Sequence, residues 1–85
     1  MSNGNKDPEI LQKEIISIIA ERLGMPAANI TTDAYLFEDL NASLLEKADI
    51  FQTLEEKYHL KFASSDIKTL KTVGNIVEFI TDNAD

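Results

Sequence analysis

Few side chains in this sequence could do chemistry. There is one histidine, His59, and no cysteine in 85 residues, so no thiolate nucleophile, thiolate zinc site, disulfide or redox pair can be built. A lone imidazole without companion ligands makes neither a metal centre nor half of a catalytic pair, and His59 suits a helix C-terminus, where a cation is favoured. No Ser/His/Asp set, glycine-rich phosphate loop or HExxH occurs. Together with a length that leaves little room for a substrate pocket, this argues against an enzyme. Asp33, Glu38 and Asp39 lie close in sequence but lack the spacing of a calcium loop. What remains is Ser43-Leu44-Leu45-Glu46. Its hydroxyl and carboxylate stand three residues apart, the spacing of a capping box, in which each satisfies the other's backbone amide where a helix begins.

Four helical segments must position that tetrad. Asp7, Pro8 and Glu9 form a start signal, and Leu11, Ile15, Ile16, Ile18, Ile19 and Leu23 fall on one apolar face before Gly24 and Pro26. The spacing predicts a helix over 8–23. Residues 25–42 have no helical period but carry Ile30, Leu36, Phe37 and Leu40, which predicts a long ordered loop pinned to the core. From Ser43 a second helix runs to about residue 58, with Leu44, Ala48, Ile50, Phe51, Leu54 and Tyr58 as its expected buried face. Ser64 or Ser65 is expected to cap a short turn near 65–69, and Thr72 a last helix near 72–82 built on Val73, Ile76, Val77 and Ile80. The expected organisation is a tail over 1–7, one all-α domain over 8–82 and a short tail over 83–85, with no strands.

Eight Lys and Arg against fifteen Asp and Glu give a formal charge of −7. That charge repels phosphate backbones and anionic lipid headgroups, so nucleic acid and membrane surfaces are excluded as expected partners and a basic protein surface is favoured. The opening MSNGNKDP has neither the apolar core of a secretory signal nor the arginine pattern of a transit peptide, and no apolar run reaches the ~18 residues of a membrane span. The expectation is a cytoplasmic monomer.

Several segments fall at the spacing of one known family. Ile30-Thr31-Thr32-Asp33-Ala34, Leu36-Phe37-Glu38-Asp39-Leu40, Leu54-Glu55-Glu56-Lys57-Tyr58 and Thr72-Val73-Gly74-Asn75-Ile76 occur in one register. With its acidity and size, the chain resembles an acyl carrier protein over residues 9–81. The resemblance implies a bundle of three principal helices plus one short helix, and a protein that presents acyl groups to enzymes of fatty acid or related metabolism. It also implies 4′-phosphopantetheine esterified to a serine at the head of the second helix.

That attachment motif is where this sequence departs. The family usually reads Asp-Leu-Gly-x-Asp-Ser-Leu, and here the same length reads Asp39-Leu40-Asn41-Ala42-Ser43-Leu44-Leu45. Leu44 takes the attachment position, and leucine has no hydroxyl to esterify. Two readings follow. Either Ser43 is a displaced attachment site loaded by a phosphopantetheinyl transferase, or Ser43 is only a helix cap and the protein is a cofactor-free docking or regulatory module. A capping serine turns its oxygen towards the helix amides, which leans towards the second reading.

The outer face of the second helix carries the docking expectation. At 100° per residue, Leu45 projects beside Asp49, Gln52 and Glu56, an apolar side chain on an acidic face. The resemblance implies that Leu45, Glu46, Asp49 and Glu56 meet basic surfaces of acyl-metabolism enzymes.

Overall fold

The computed structural model describes residues 7–83. Helix α1 spans Pro8–Leu23. Asp7 caps it by accepting from the Glu9 N–H at 2.9 Å, and Pro8 fills the first position, where no N–H is needed. Gly24 ends α1 at φ 69°, its N–H turned back to the carbonyls of Ala20 and Glu21, a conformation that a β-carbon would strain. After one 3₁₀ turn at Ala27–Asn29 and the rest of the loop come α2 over Leu44–Tyr58, α3 over Ser64–Thr69 and α4 over Val73–Asn83.

These bounds agree with the expected helices to within a residue. The expected cap of the short helix does not hold. Ser64 is the first residue of α3 rather than its cap, Ala63 occupies the cap position, and the Asp66 carboxylate accepts from the Ala63 N–H at 2.9 Å. That bond is the acid's half of a capping box; the half a cap hydroxyl would supply is absent, since alanine has no side-chain acceptor. Thr72 caps α4 as expected: its Oγ1 accepts from the Asn75 N–H at 3.0 Å, while Asn75 Oδ1 accepts from the N–H groups of Lys71 and Thr72. Of the expected tails, Asp7 is a cap and Asn83 lies in α4; the other tail residues fall outside the described ones.

One core joins all four helices and the loop. Leu11, Ile15 and Ile19 of α1 meet Ile50, Phe51 and Leu54 of α2 and Val73, Ile76, Val77 and Ile80 of α4. α1 packs directly against both α2 and α4. Phe62, between α2 and α3, is buried edge-on to Phe51 with ring centroids 4.9 Å apart, and lies 5.0 Å from Phe79. Two polar contacts add to this: the Tyr58 hydroxyl of α2 donates to Glu14 Oε1 of α1 at 2.8 Å, and the Phe62 N–H in the link after α2 donates back to Glu55 Oε2 at 2.8 Å.

The long loop is ordered by backbone bonds as well as apolar burial. Ile30, Ala34, Leu36 and Ala42 are buried and Leu40 partly so. Phe37 was expected in the core and is instead 65% exposed; the buried neighbour Leu36 faces inward and leaves Phe37 to the outside. The loop runs antiparallel to the link before α4, with Leu36 N–H on Lys71 O, Val73 N–H on Ala34 O and Gly74 N–H on Thr32 O at 2.8–3.0 Å. Gly74 permits this approach, since a β-carbon there would lie 3.1 Å from Thr32 O. Among the described residues, the only strand-like pairing is the Tyr35–Thr72 bridge.

Candidate attachment and docking site

The turn into α2 begins at Asn41, which sits at φ 60°, a left-handed conformation that asparagine tolerates better than most residues. The Asp39 carboxylate accepts from the Tyr35 N–H at 2.8 Å and closes the turn before it. Ala42 is then buried, and Ser43 takes extended φ/ψ as the cap. The capping box is complete. Ser43 Oγ accepts from the Glu46 N–H at 3.1 Å, and Glu46 Oε1 accepts from the Ser43 N–H at 2.9 Å.

Leu44 and Ala48 correct the expected buried face of α2. Leu44 is 83% exposed and Ala48 is exposed too. An apolar stripe is buried only where another element covers it, and on α2 burial starts at Ile50. The first two turns stand clear of the core, so the side chain at position 44 projects into solvent.

The four expected docking residues are brought to the outer side of α2, each in a different state. Leu45 is 83% exposed, with no core contact to justify an apolar side chain there. Glu46 is half-buried and spends one carboxylate oxygen on the cap. Glu56 is exposed. Asp49 is gripped in a two-pronged ion pair by Arg22 of α1, Nε to Oδ2 at 2.8 Å and a terminal nitrogen to Oδ1 at 3.1 Å. The hydrogen bond and charge of Asp49 hold the Arg22 guanidinium above its ordinary pKa. Free carboxylate on this face is thus concentrated on Glu56 and the outer oxygen of Glu46. Glu55, next to them in sequence, turns away to the Phe62 amide. Nothing in the sequence marks the Arg22 pair, whose members lie 27 residues apart.

His59 closes α2 as its left-handed C-cap at φ 57°, its N–H on the Glu55 carbonyl. No group of three or more potential metal ligands occurs among the described residues. No helix among them is long and apolar enough to cross a membrane.

Comparison with known proteins turns this geometry into a family. Residues 13–80 match the family described as PP-binding, phosphopantetheine attachment site. An acyl carrier protein of Chlamydia caviae is 36% identical over 70 residues, covering 82% of this chain and 91% of the relative. The chain belongs to the acyl carrier protein family. An acyl carrier protein of Helicobacter pylori is 33% identical over 73 residues, 86% of this chain and 94% of that relative. The fold agrees as well: the acyl carrier protein from Enterococcus faecalis superposes with a TM-score of 0.76 over 91% of this chain and 98% of the other, at 23% identity.

An acyl carrier family implies a phosphopantetheine arm in general. At the head of α2 only Ser43 offers a hydroxyl that could hold one. Leu44, whose side chain projects outward, has no nucleophilic atom. Ser43 has one, but its oxygen is engaged by the Glu46 amide. A phosphodiester at Ser43 would also sit beside the Glu46 carboxylate, which is folded back onto the same residue, and like charges at that separation repel.

Proposed function

We propose that this chain is a cofactor-free docking protein of acyl-chain metabolism, built on the acyl carrier fold and acting from the cytoplasm as a monomer without catalysis of its own. The observation that carries this reading is the pairing at the head of α2: an outward-facing Leu44 where the family esterifies serine, beside a Ser43 hydroxyl engaged in a complete capping box. A basic surface on an acyl-metabolism enzyme meets Glu46, Asp49 and Glu56, and Leu45 seats in an apolar recess of that enzyme. The charges speed encounter and fix orientation, and the leucine slows dissociation.

The second reading, thioester carriage on 4′-phosphopantetheine at Ser43, is favoured by the family match over residues 13–80 and by the exposure of Ser43. Intact mass after coexpression with a broad-specificity phosphopantetheinyl transferase separates the two. The proposal expects no added mass on the wild type and a gain on the Ser43→Asp/Leu44→Ser double variant, which restores the family motif. A gain on the wild type that disappears in Ser43→Ala overturns it in favour of carriage.

A further inference from the structure

The first turn of α2 also borders a feature of opposite sign. Lys47 from α2, Lys68 from α3 and Lys71 from the link before α4 line one groove of about 260 Å³ together with Phe37, Ala42 and Leu44. Glu38 is the one acidic residue in its lining. In a chain of net charge −7 with eight Lys and Arg, three lysines on one groove are a concentration of positive potential. Among the described residues, the only side-chain ion pair within 4.0 Å joins Arg22 to Asp49. The three ammonium groups therefore have no carboxylate of a described residue at salt-bridge distance, and an incoming anion would relieve their mutual repulsion.

The apolar part says what kind of anion. Phe37 at 65% exposed and Leu44 at 83% stand on the groove's rim, with Leu45 at 83% next along the helix. Side chains this exposed bury only under a surface, since a small ligand seated in the groove would leave their outer sides wet. The groove is also smaller than the roughly 300–1,000 Å³ of small-molecule sites. It has room for one or two side chains of a partner. A nucleic acid would bring its phosphates up to the acidic side of α2, which repels them. We infer that the groove between the start of α2, the long loop and α3 is a second docking site, which takes an acidic protein segment through an apolar anchor side chain and carboxylates on Lys47, Lys68 and Lys71.

This site uses other residues than the acidic face and a partner of opposite charge, so the two are tested separately. Two synthetic helical peptides serve as probes on the isotope-labelled full chain, one of leucine, phenylalanine and glutamate and one of leucine and lysine. The glutamate peptide should move the amide resonances of Phe37, Leu44, Lys47, Lys68 and Lys71 and should bind more weakly as salt is raised. Lys47→Gln/Lys68→Gln/Lys71→Gln should weaken it about tenfold or more while leaving the thermal midpoint unchanged and the lysine peptide still bound at Glu46 and Glu56, at least as tightly as before. The inference is overturned if those amides do not move, or if the triple variant binds the glutamate peptide as well as the wild type. It is equally overturned if sodium decanoate moves the same amides at lower concentration than the peptide, which would make the groove a site for a small amphiphile. Silence of the lysine peptide counts against the acidic face alone.

Discussion

Arg22 near the end of α1 reaches across to Asp49 of α2 and holds both of its carboxylate oxygens, at 2.8 and 3.1 Å. The pair lies in solvent, with both side chains about 40% exposed, so it orients more than it stabilises. Its weight falls on recognition. Arg22→Gln releases Asp49 and makes the outer face of α2 more acidic. Association with a basic partner should become faster and more salt-sensitive, with thermal unfolding nearly unchanged. Stopped-flow association rates over a salt series check this, and a slower association in Arg22→Gln would show that the arginine itself touches the partner.

Leu45 and Leu54 lie on the same helix in opposite surroundings, one 83% exposed and the other fully buried. Leu54→Ala should destabilise by ~2–5 kcal/mol, as core truncations do. Leu45→Ala should leave unfolding nearly unchanged and weaken partner binding by about ten- to a hundredfold, the worth of burying ~1.5–3 kcal/mol of apolar side chain. Urea unfolding and partner affinity, measured side by side on both variants, form the check.

Ser43→Ala removes the acceptor for the Glu46 amide and should cost ~1 kcal/mol, whereas Ser43→Asp, another good cap, should cost little. Under the cofactor-free reading, wild type and both variants show only the mass of their own polypeptides after coexpression with the transferase, and partner binding is unchanged. Urea midpoints compared at constant slope test the stability part.

Tyr58 ties stability to alkaline pH. Burial, followed by the hydrogen bond to the Glu14 carboxylate, pushes its phenol pKa well above the ordinary value of 10.0. Below about pH 10 the phenol is protonated both folded and unfolded. Above it the unfolded chain loses the proton first and so binds fewer protons than the folded chain. Stability must then fall as pH rises. The stability difference between wild type and Tyr58→Phe should stay level up to about pH 9 and shift against the wild type above pH 10. Urea unfolding of both proteins across that range is the measurement, and lysine titration, common to both, cancels.

Much of this architecture was legible because it rests on local chemistry. Asp7, Gly24, the Ser43–Glu46 box and Thr72 announce helix ends within three or four residues of themselves, and each functions as its spacing implies. The misses share one cause. Leu44 and Ala48 continue the apolar stripe of Phe51 in sequence, but helical period cannot tell where the covering elements stop. Phe37 and Leu36 are equally apolar, and which one turns inward is decided by the Leu36 N–H bond to Lys71. Ser64 yielded its expected place to Ala63, whose N–H the Asp66 carboxylate accepts from inside the helix, so the helix starts one residue earlier than a serine cap would put it. At the candidate site, the exposure of Leu45 could be read from angle alone. The capture of Asp49 by Arg22 and the gathering of Lys47, Lys68 and Lys71 could not, since both are products of tertiary proximity.

The backbone stitches between the loop and the link before α4 bear on the order in which the chain acquires its shape. Thr32, Ala34 and Leu36 find their partners in Gly74, Val73 and Lys71, all of which follow α2 in the chain. During synthesis α1 and α2 are complete while residues 32–36 still lack these partners, and the loop cannot settle until the start of α4 emerges. Loop and C-terminal segment should therefore gain amide protection in one late step, after the α1–α2 pair. Both the turn that aims Ser43 and Leu44 and the wall that holds Lys71 would be finished in that same step.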